Sequence, residues 1–178
     1  MKIELGGGVT PRGDGFVNVD IKPCADIICD FELGKLPFDD DSVDEIYSSH
    51  CLEHVRGHIA ILGEVLRICR HGAKVELRFP HWLHPMASSP GHVHVLSDRQ
   101  VSNWLESPKS RELFWPQATK RFVEDLGRRH YQIEVDYFIL REKFPQLTDE
   151  EVARYIPGCC HEVRYYFTVA ALMTSEQP

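Results

Sequence analysis

Short apolar runs and one long amphipathic stripe set the plan of this chain. Five runs rich in β-branched residues, Ile3 to Leu5, Phe16 to Asp20, Asp26 to Cys29, Val43 to Ser48 and Lys74 to Phe79, are bounded by Gly, Pro or Asp. That pattern predicts buried strands. Between the fourth and fifth, Leu52, Val55, Ile59, Leu62, Leu66 and Cys69 recur at steps of three and four. They share one face of a helix, for which His71-Gly72 is the expected stop. Strand, helix and strand in that order form a right-handed crossover of a parallel sheet. Ser97 to Ser107 reads as a short helix, with Ser97 as N-cap and Gln100 completing a capping box. Two strand-like runs, about Tyr131 to Leu140 and about Glu162 to Met173, flank a helical stretch from Thr148 to Tyr155. The sum is an α/β fold, a Rossmann-like three-layer sandwich on a mostly parallel seven-stranded sheet, with residues 1–178 as one domain.

Helices between the first three strands must be reduced. Only Val9 to Gly15 separates the first two strands, and it holds Pro11, Gly13 and Gly15, too little for a helical crossover. The segment from Asp20 to Asp26 is equally brief. One sheet face is therefore expected to expose apolar surface, which predicts burial by a second copy in a homodimer.

Composition narrows the function. The chain has 178 residues, 43% hydrophobic and 26% charged, as ordinary globular domains do. With 27 acidic against 20 basic residues its net charge is −7, which argues against a nucleic-acid partner. Local positive charge at Arg128-Arg129-His130 and from Lys109 to Arg121 reads as solvated surface. No apolar stretch has the length of a signal peptide or a membrane span, so no membrane association and a cytoplasmic location are expected. There the six cysteines would stay reduced, with Cys24, Cys29, Cys51 and Cys69 as buried thiols. Cys159-Cys160-His161 lacks the paired spacing of a zinc site.

Leu5-Gly6-Gly7-Gly8 ends the first strand and Val17-Asn18-Val19-Asp20 the second. Glycines at a strand's carboxyl end let a ligand approach the backbone, and a carboxylate ending the neighbouring strand can accept from two ribose hydroxyls. Asp26-Ile27-Ile28-Cys29-Asp30-Phe31 follows, then Leu36-Pro37-Phe38, an acidic turn, Val43-Asp44-Glu45-Ile46-Tyr47 and Leu52-Glu53-His54. In this order the motifs resemble the class I S-adenosylmethionine (SAM)-dependent methyltransferases, in their small-molecule, type 11-like branch. Glu64-Val65-Leu66-Arg67 and Phe79-Pro80-His81 continue the pattern, and the resemblance covers roughly Lys2 to Ser97.

The resemblance implies SAM as cofactor. Gly6, Gly7 and Gly8, beside Glu4, would approach its methionine portion, and Asp20 with Ile21 would hold the ribose. Asp30 and Phe31 would flank the adenine, while Ser49 and His50 would face the sulfonium and the acceptor. His50 is the candidate base, together with His81 and His94 from the histidine-rich loop Pro80 to Ser97, which serves as the candidate lid. His54, Trp82 and His92 are the candidate substrate contacts. His50, His54 and His58 are spaced to align on a helix, where Glu53-His54 would serve the first turn's free backbone donors. No metal is assigned, because no carboxylate adjoins the lid histidines in sequence. Methyl transfer to a small-molecule acceptor is the leading expectation. The others are a non-catalytic SAM- or nucleoside-binding module within a complex, and a histidine-rich metal-binding protein on the same fold.

Overall fold

The computed structural model describes residues 1–97, positions 100, 101, 103, 104, 107, 109, 146, 148 and 151, and residues 121–123, 128–133 and 160–171. Eight strands form one sheet: β1 (Lys2–Leu5), β2 (Phe16–Asp20), β3 (Ile27–Ile28), β4 (Val43–Ser49), β5 (Cys69–Pro80), β6 (Arg121–Val123), β7 (Arg128–Ile133) and β8 (Cys160–Ala171). Their order is β3-β2-β1-β4-β5-β8-β6, with β7 also paired to β8. The first five are parallel. β8 runs antiparallel to β5, and β6 and β7 pair with opposite ends of β8. Eight segments thus occupy seven lateral positions of a Rossmann-like α/β sheet.

The expected strands from Ile3 to Phe79 all form. β8 matches the last expected run, whereas β7 covers only the start of the Tyr131 to Leu140 run, whose remainder lies outside the described residues. Ser97 caps as expected: its Oγ accepts from Gln100 N at 3.2 Å, and the Gln100 side chain accepts from Ser97 N at 3.3 Å. A second capping box joins Thr148 and Glu151, where the Thr148 to Tyr155 helix was expected. Most of that stretch lies outside the described residues.

The long helix is shorter than its stripe. A 3-10 turn, Leu52–His54, comes first, and α1 begins only at His58 and ends at Ile68. Leu52 and Val55 are buried beside Ile61, Leu62, Val65 and Leu66, so the periodicity runs on although the helix does not. His71-Gly72 is not its stop, because Cys69 already takes extended backbone and begins β5. Within α1, Glu64 accepts from Leu36 N at 2.9 Å and from Arg67, whose guanidinium also donates to Phe38 O and Leu36 O. This buried pair fastens the segment before β4 to the helix.

The two sheet faces differ. Ile3, Leu5, Val19, Ile46, Val75, Leu77, Tyr165 and Phe167 fill one face and join α1 in a single core. The register puts Lys2, Glu4, Glu45, Tyr47, Lys74, Glu76, Arg78 and Tyr166 on the other. Lys2 pairs with Glu45 at 2.7 Å, Arg78 with Glu76 at 2.5 Å, and Arg12 stacks 4.3 Å above the Tyr47 ring. Among the described residues the middle of this face is polar and internally paired, while Phe16 beside Lys2 and the exposed Ile28 at the β3 edge add apolar surface to it. The thiols also differ from expectation: Cys51 and Cys69 are buried, but Cys29 is half-buried and Cys24 exposed.

Candidate active site

Strand order reverses about β1, with β2 on one side and β4 on the other. Such a switch point leaves a crevice beyond the strands' carboxyl ends. A cleft of about 480 Å³ lies there, lined by Gly6, Asp20, Ile21, Lys22, Cys29, Asp30, Phe31, Glu32, His50, Cys51, His54 and Val55. Ligand clefts span about 300–1,000 Å³. A second cavity of about 350 Å³ opens on the polar sheet face around Tyr47, Glu76 and Tyr166, away from these carboxyl ends.

The glycine turn has a specific need at its first position. Gly6 sits at φ +77°, its N–H donates to Val19 O at 2.8 Å, and a Cβ there would lie 2.4 Å from Cys51 Sγ. Only glycine lets β1 pass so close to the chain leaving β4. Gly7 N donates to Asn18 Oδ1 at 3.1 Å and Gly8 N to Asp20 Oδ2 at 2.9 Å, so the turn folds back onto β2. Glu4 accepts from Arg12 N at 2.6 Å. Glu4, Gly7 and Gly8 thereby shape the turn, while Gly6 alone of these four lines the cleft.

Asp20 is buried, and its second oxygen accepts from Lys22 N at 2.9 Å. Each carboxylate oxygen offers two lone pairs, so each retains an acceptor position toward the cleft. Asp30 N-caps the 3-10 turn Phe31–Leu33 through Glu32 N, with Phe31 buried beneath it. Glu32 in turn accepts from Arg56 N at 3.0 Å, tying this wall to the start of α1.

His50 ends β4 with φ +50°, uncommon for a non-glycine residue. Its Nε2 lies 2.8 Å from Glu162 Oε2 and its Nδ1 3.3 Å from Glu53 Oε1. The hydrogen bond to Glu162, then the close Glu53 carboxylate, raise its pKa to about 9 against the opposing effect of burial. At neutral pH the ring is an imidazolium, a fixed cation in the cleft wall rather than the expected base. Burial would raise the Glu162 pKa, but hydrogen bonds from His50 and Arg164 outweigh it and hold it at about 2. Beside it, burial first, then Glu53 and Asp20, push the Cys51 thiol up to about 12. Cys51 is thus a packing group, not a nucleophile.

Residues 17–77 match a family described as "Methyltransferase domain". An uncharacterized methyltransferase of Mycolicibacterium vanbaalenii is 38% identical over 68 residues, which make up 38% of this chain and 27% of that protein. A SAM-dependent methyltransferase of Archaeoglobus fulgidus superposes with TM-score 0.62 at 11% identity, covering 93% of this chain and 84% of the other. A third of the chain thus matches a methyltransferase domain family, and the whole shares the fold of a SAM-dependent methyltransferase. A Haloferax volcanii methyltransferase, solved in complex with the Trm112 methyltransferase activator, shares the fold as well. Its TM-score is 0.54 at 20% identity, over 93% of this chain and 80% of that one.

The residues of this cleft fit the cofactor that the resemblance implies. Gly6 gives a cradle that a side chain would fill, Asp20 and Asp30 supply acceptors, and Phe31 supplies an apolar wall. Seven expected site residues converge here: Gly6, Asp20, Ile21, Asp30, Phe31, His50 and His54. Lys22, Cys29, Glu32, Cys51 and Val55 join them without having been singled out as site residues, since nothing in their local sequence marks them as ligand-facing.

The other expected residues lie elsewhere. Ser49 pairs with Arg78 and does not line the cleft. His81 is buried, with Nδ1 accepting from Leu83 N, and Trp82 is partly exposed beside it. His94 lies tilted against His58, with ring centroids 4.0 Å apart, and His92 packs edge-on against His54 at 4.6 Å. The Pro80 to Ser97 loop, the candidate lid, contributes no residue to the cleft lining and is held by Val93 N and His94 N, which donate to Glu53 O at 2.8 and 3.2 Å. Nor do His50, His54 and His58 share a helix face, since only His58 is in α1. No helix among the described residues is long and apolar enough to cross a membrane.

Proposed function

We propose that this chain binds SAM in the cleft at the β1/β4 switch point and transfers its methyl group to a small-molecule acceptor. One observation carries the reading: the Gly6 turn, the Asp20 carboxylate and the Asp30-Phe31 wall come from three separate strands yet line a single cleft. Asp20, already oriented by Gly8 N and Lys22 N, accepts from the ribose hydroxyls, and Asp30 accepts from the adenine amino group. Phe31 and Ile21 cover the base. The cofactor, once bound, supplies a methyl group activated by its sulfonium charge.

The protein's task is then alignment and exclusion of water. His50, clamped between two carboxylates, fixes the wall where the acceptor enters without removing its proton. The loop from Pro80 to Ser97, docked on Glu53 O beside the cleft residue His54, stands at the same end as the candidate lid. Incubating the protein with SAM and fractionated cell extract, and measuring S-adenosylhomocysteine release, tests the proposal. Release that depends on one fraction and vanishes in Asp20→Ala supports it. Cofactor binding with no release from any fraction would point to a binding module instead.

A further inference from the structure

We infer a divalent metal site formed by Glu53, His54 and His92, which pins the lid loop to the rim of the cleft. The inference does not depend on the methyl-transfer reading. Ligand atoms of the three side chains lie within 4.8 Å of one another, although 38 residues of sequence separate the two histidines. Each ring is oriented from behind. His54 Nδ1 donates to Gly91 O at 3.0 Å and His92 Nδ1 to Ala87 O at 3.3 Å, so Nδ1 carries the proton and Nε2 the lone pair in both. A backbone carbonyl on the distal nitrogen is the usual support of a metal-bound imidazole.

Glu53 supplies the charge. Its carboxylate is buried, and neither oxygen has a hydrogen-bond partner; His50 Nδ1 stands at ion-pair distance, 3.3 Å from Oε1, without hydrogen-bond geometry. A buried carboxylate lacking hydrogen bonds is costly, and a cation on Oε2 would relieve it. Two imidazoles and one carboxylate suit Zn²⁺ and leave a fourth position open, as three-ligand sites do. Tetrahedral ligands about 2.1 Å from zinc stand roughly 3.4 Å apart, so the rings need only tilt inward. Because His92 belongs to the lid and His54 lines the cleft, the ion would join the two.

Calorimetric titration of the untagged full chain with Zn²⁺, repeated with Co²⁺ by visible absorption, tests the site. One equivalent should bind, raise the melting temperature, and weaken at least about tenfold in His92→Ala and in His54→Ala. His84→Ala, in the same loop, should bind as the wild type does. Glu53→Gln should also lose the ion, and circular dichroism checks that it folds; the two histidine variants decide the matter if it does not. Absence of saturable binding at tens of micromolar overturns the site, as does unchanged affinity in both histidine variants or loss of the ion in His84→Ala.

Discussion

Replacing Glu162 by Gln should weaken the hold of His50 on its proton. Both nitrogens of the ring face carboxylates, and the shorter contact, 2.8 Å, is to Glu162. A rise from the ordinary 6.5 to about 9 corresponds to roughly 3 kcal/mol, at about 1.4 kcal/mol per tenfold. The side chain is 39% exposed, so solvent screening cuts this to about 1–2 kcal/mol of folding stability. Because the folded-state pKa is the higher one, the contribution is complete below pH 6.5 and is lost as pH rises through 9. Histidine ring resonances followed by NMR from pH 5 to 11, with His50→Gln for assignment, read the effect directly. In Glu162→Gln the His50 midpoint should fall by more than one pH unit, and urea unfolding should show a larger stability loss at pH 7 than at pH 10, where only the Arg164 pair to Glu162 is still there to lose. A wild-type ring titrating near 6.5, or a midpoint unmoved by the substitution, would refute the reasoning.

Three further substitutions probe the frame around the site. Gly6→Ala places a Cβ 2.4 Å from Cys51 Sγ at a left-handed φ and should cost at least about 2 kcal/mol in thermal denaturation; a loss of only a few tenths would mean the turn can shift. Glu64→Ala leaves Leu36 N without its partner and takes one of two carboxylates from Arg67, which keeps Asp40, and should cost about 1–3 kcal/mol by urea titration, with a near-neutral result contradicting the buried pairing. Burial first, then the nearby His94, lower the His58 pKa, so the fold prefers the neutral ring and loses stability as pH drops through 6.5. His58→Leu should flatten that acid limb between pH 7 and 5, and an unchanged limb would assign the sensitivity to another group.

Local pattern made the first half of the sheet readable, because each of β1 to β5 is a short apolar run with clear punctuation. It also marked Gly6, Asp20 and Asp30, since strand ends are where a switch-point cleft must take its residues. It failed where packing, not local conformation, sets the period. Leu52 and Val55 are buried from a 3-10 turn and so mimic two more turns of α1. The polar face was visible in Ala73 to Phe79, where Lys74, Glu76 and Arg78 alternate with buried residues. The expectation of an apolar face rested instead on the short connections around β2, which say nothing of the polar residues that β4 and β5 turn to that side. The charge state of His50 was not legible at all, because Glu162 lies 112 residues away and only the β5–β8 pairing brings it near.

Gly6, Asp20 and Asp30 must converge on one bound nucleoside, which calorimetry with S-adenosylhomocysteine can read. The wild-type protein should bind one equivalent, and Asp20→Asn and Asp30→Ala should each weaken binding by about 1–3 kcal/mol while the fold is kept. Absence of binding to the wild type, or equal affinity in both variants, would contradict a cofactor site at the ends of β1, β2 and β3.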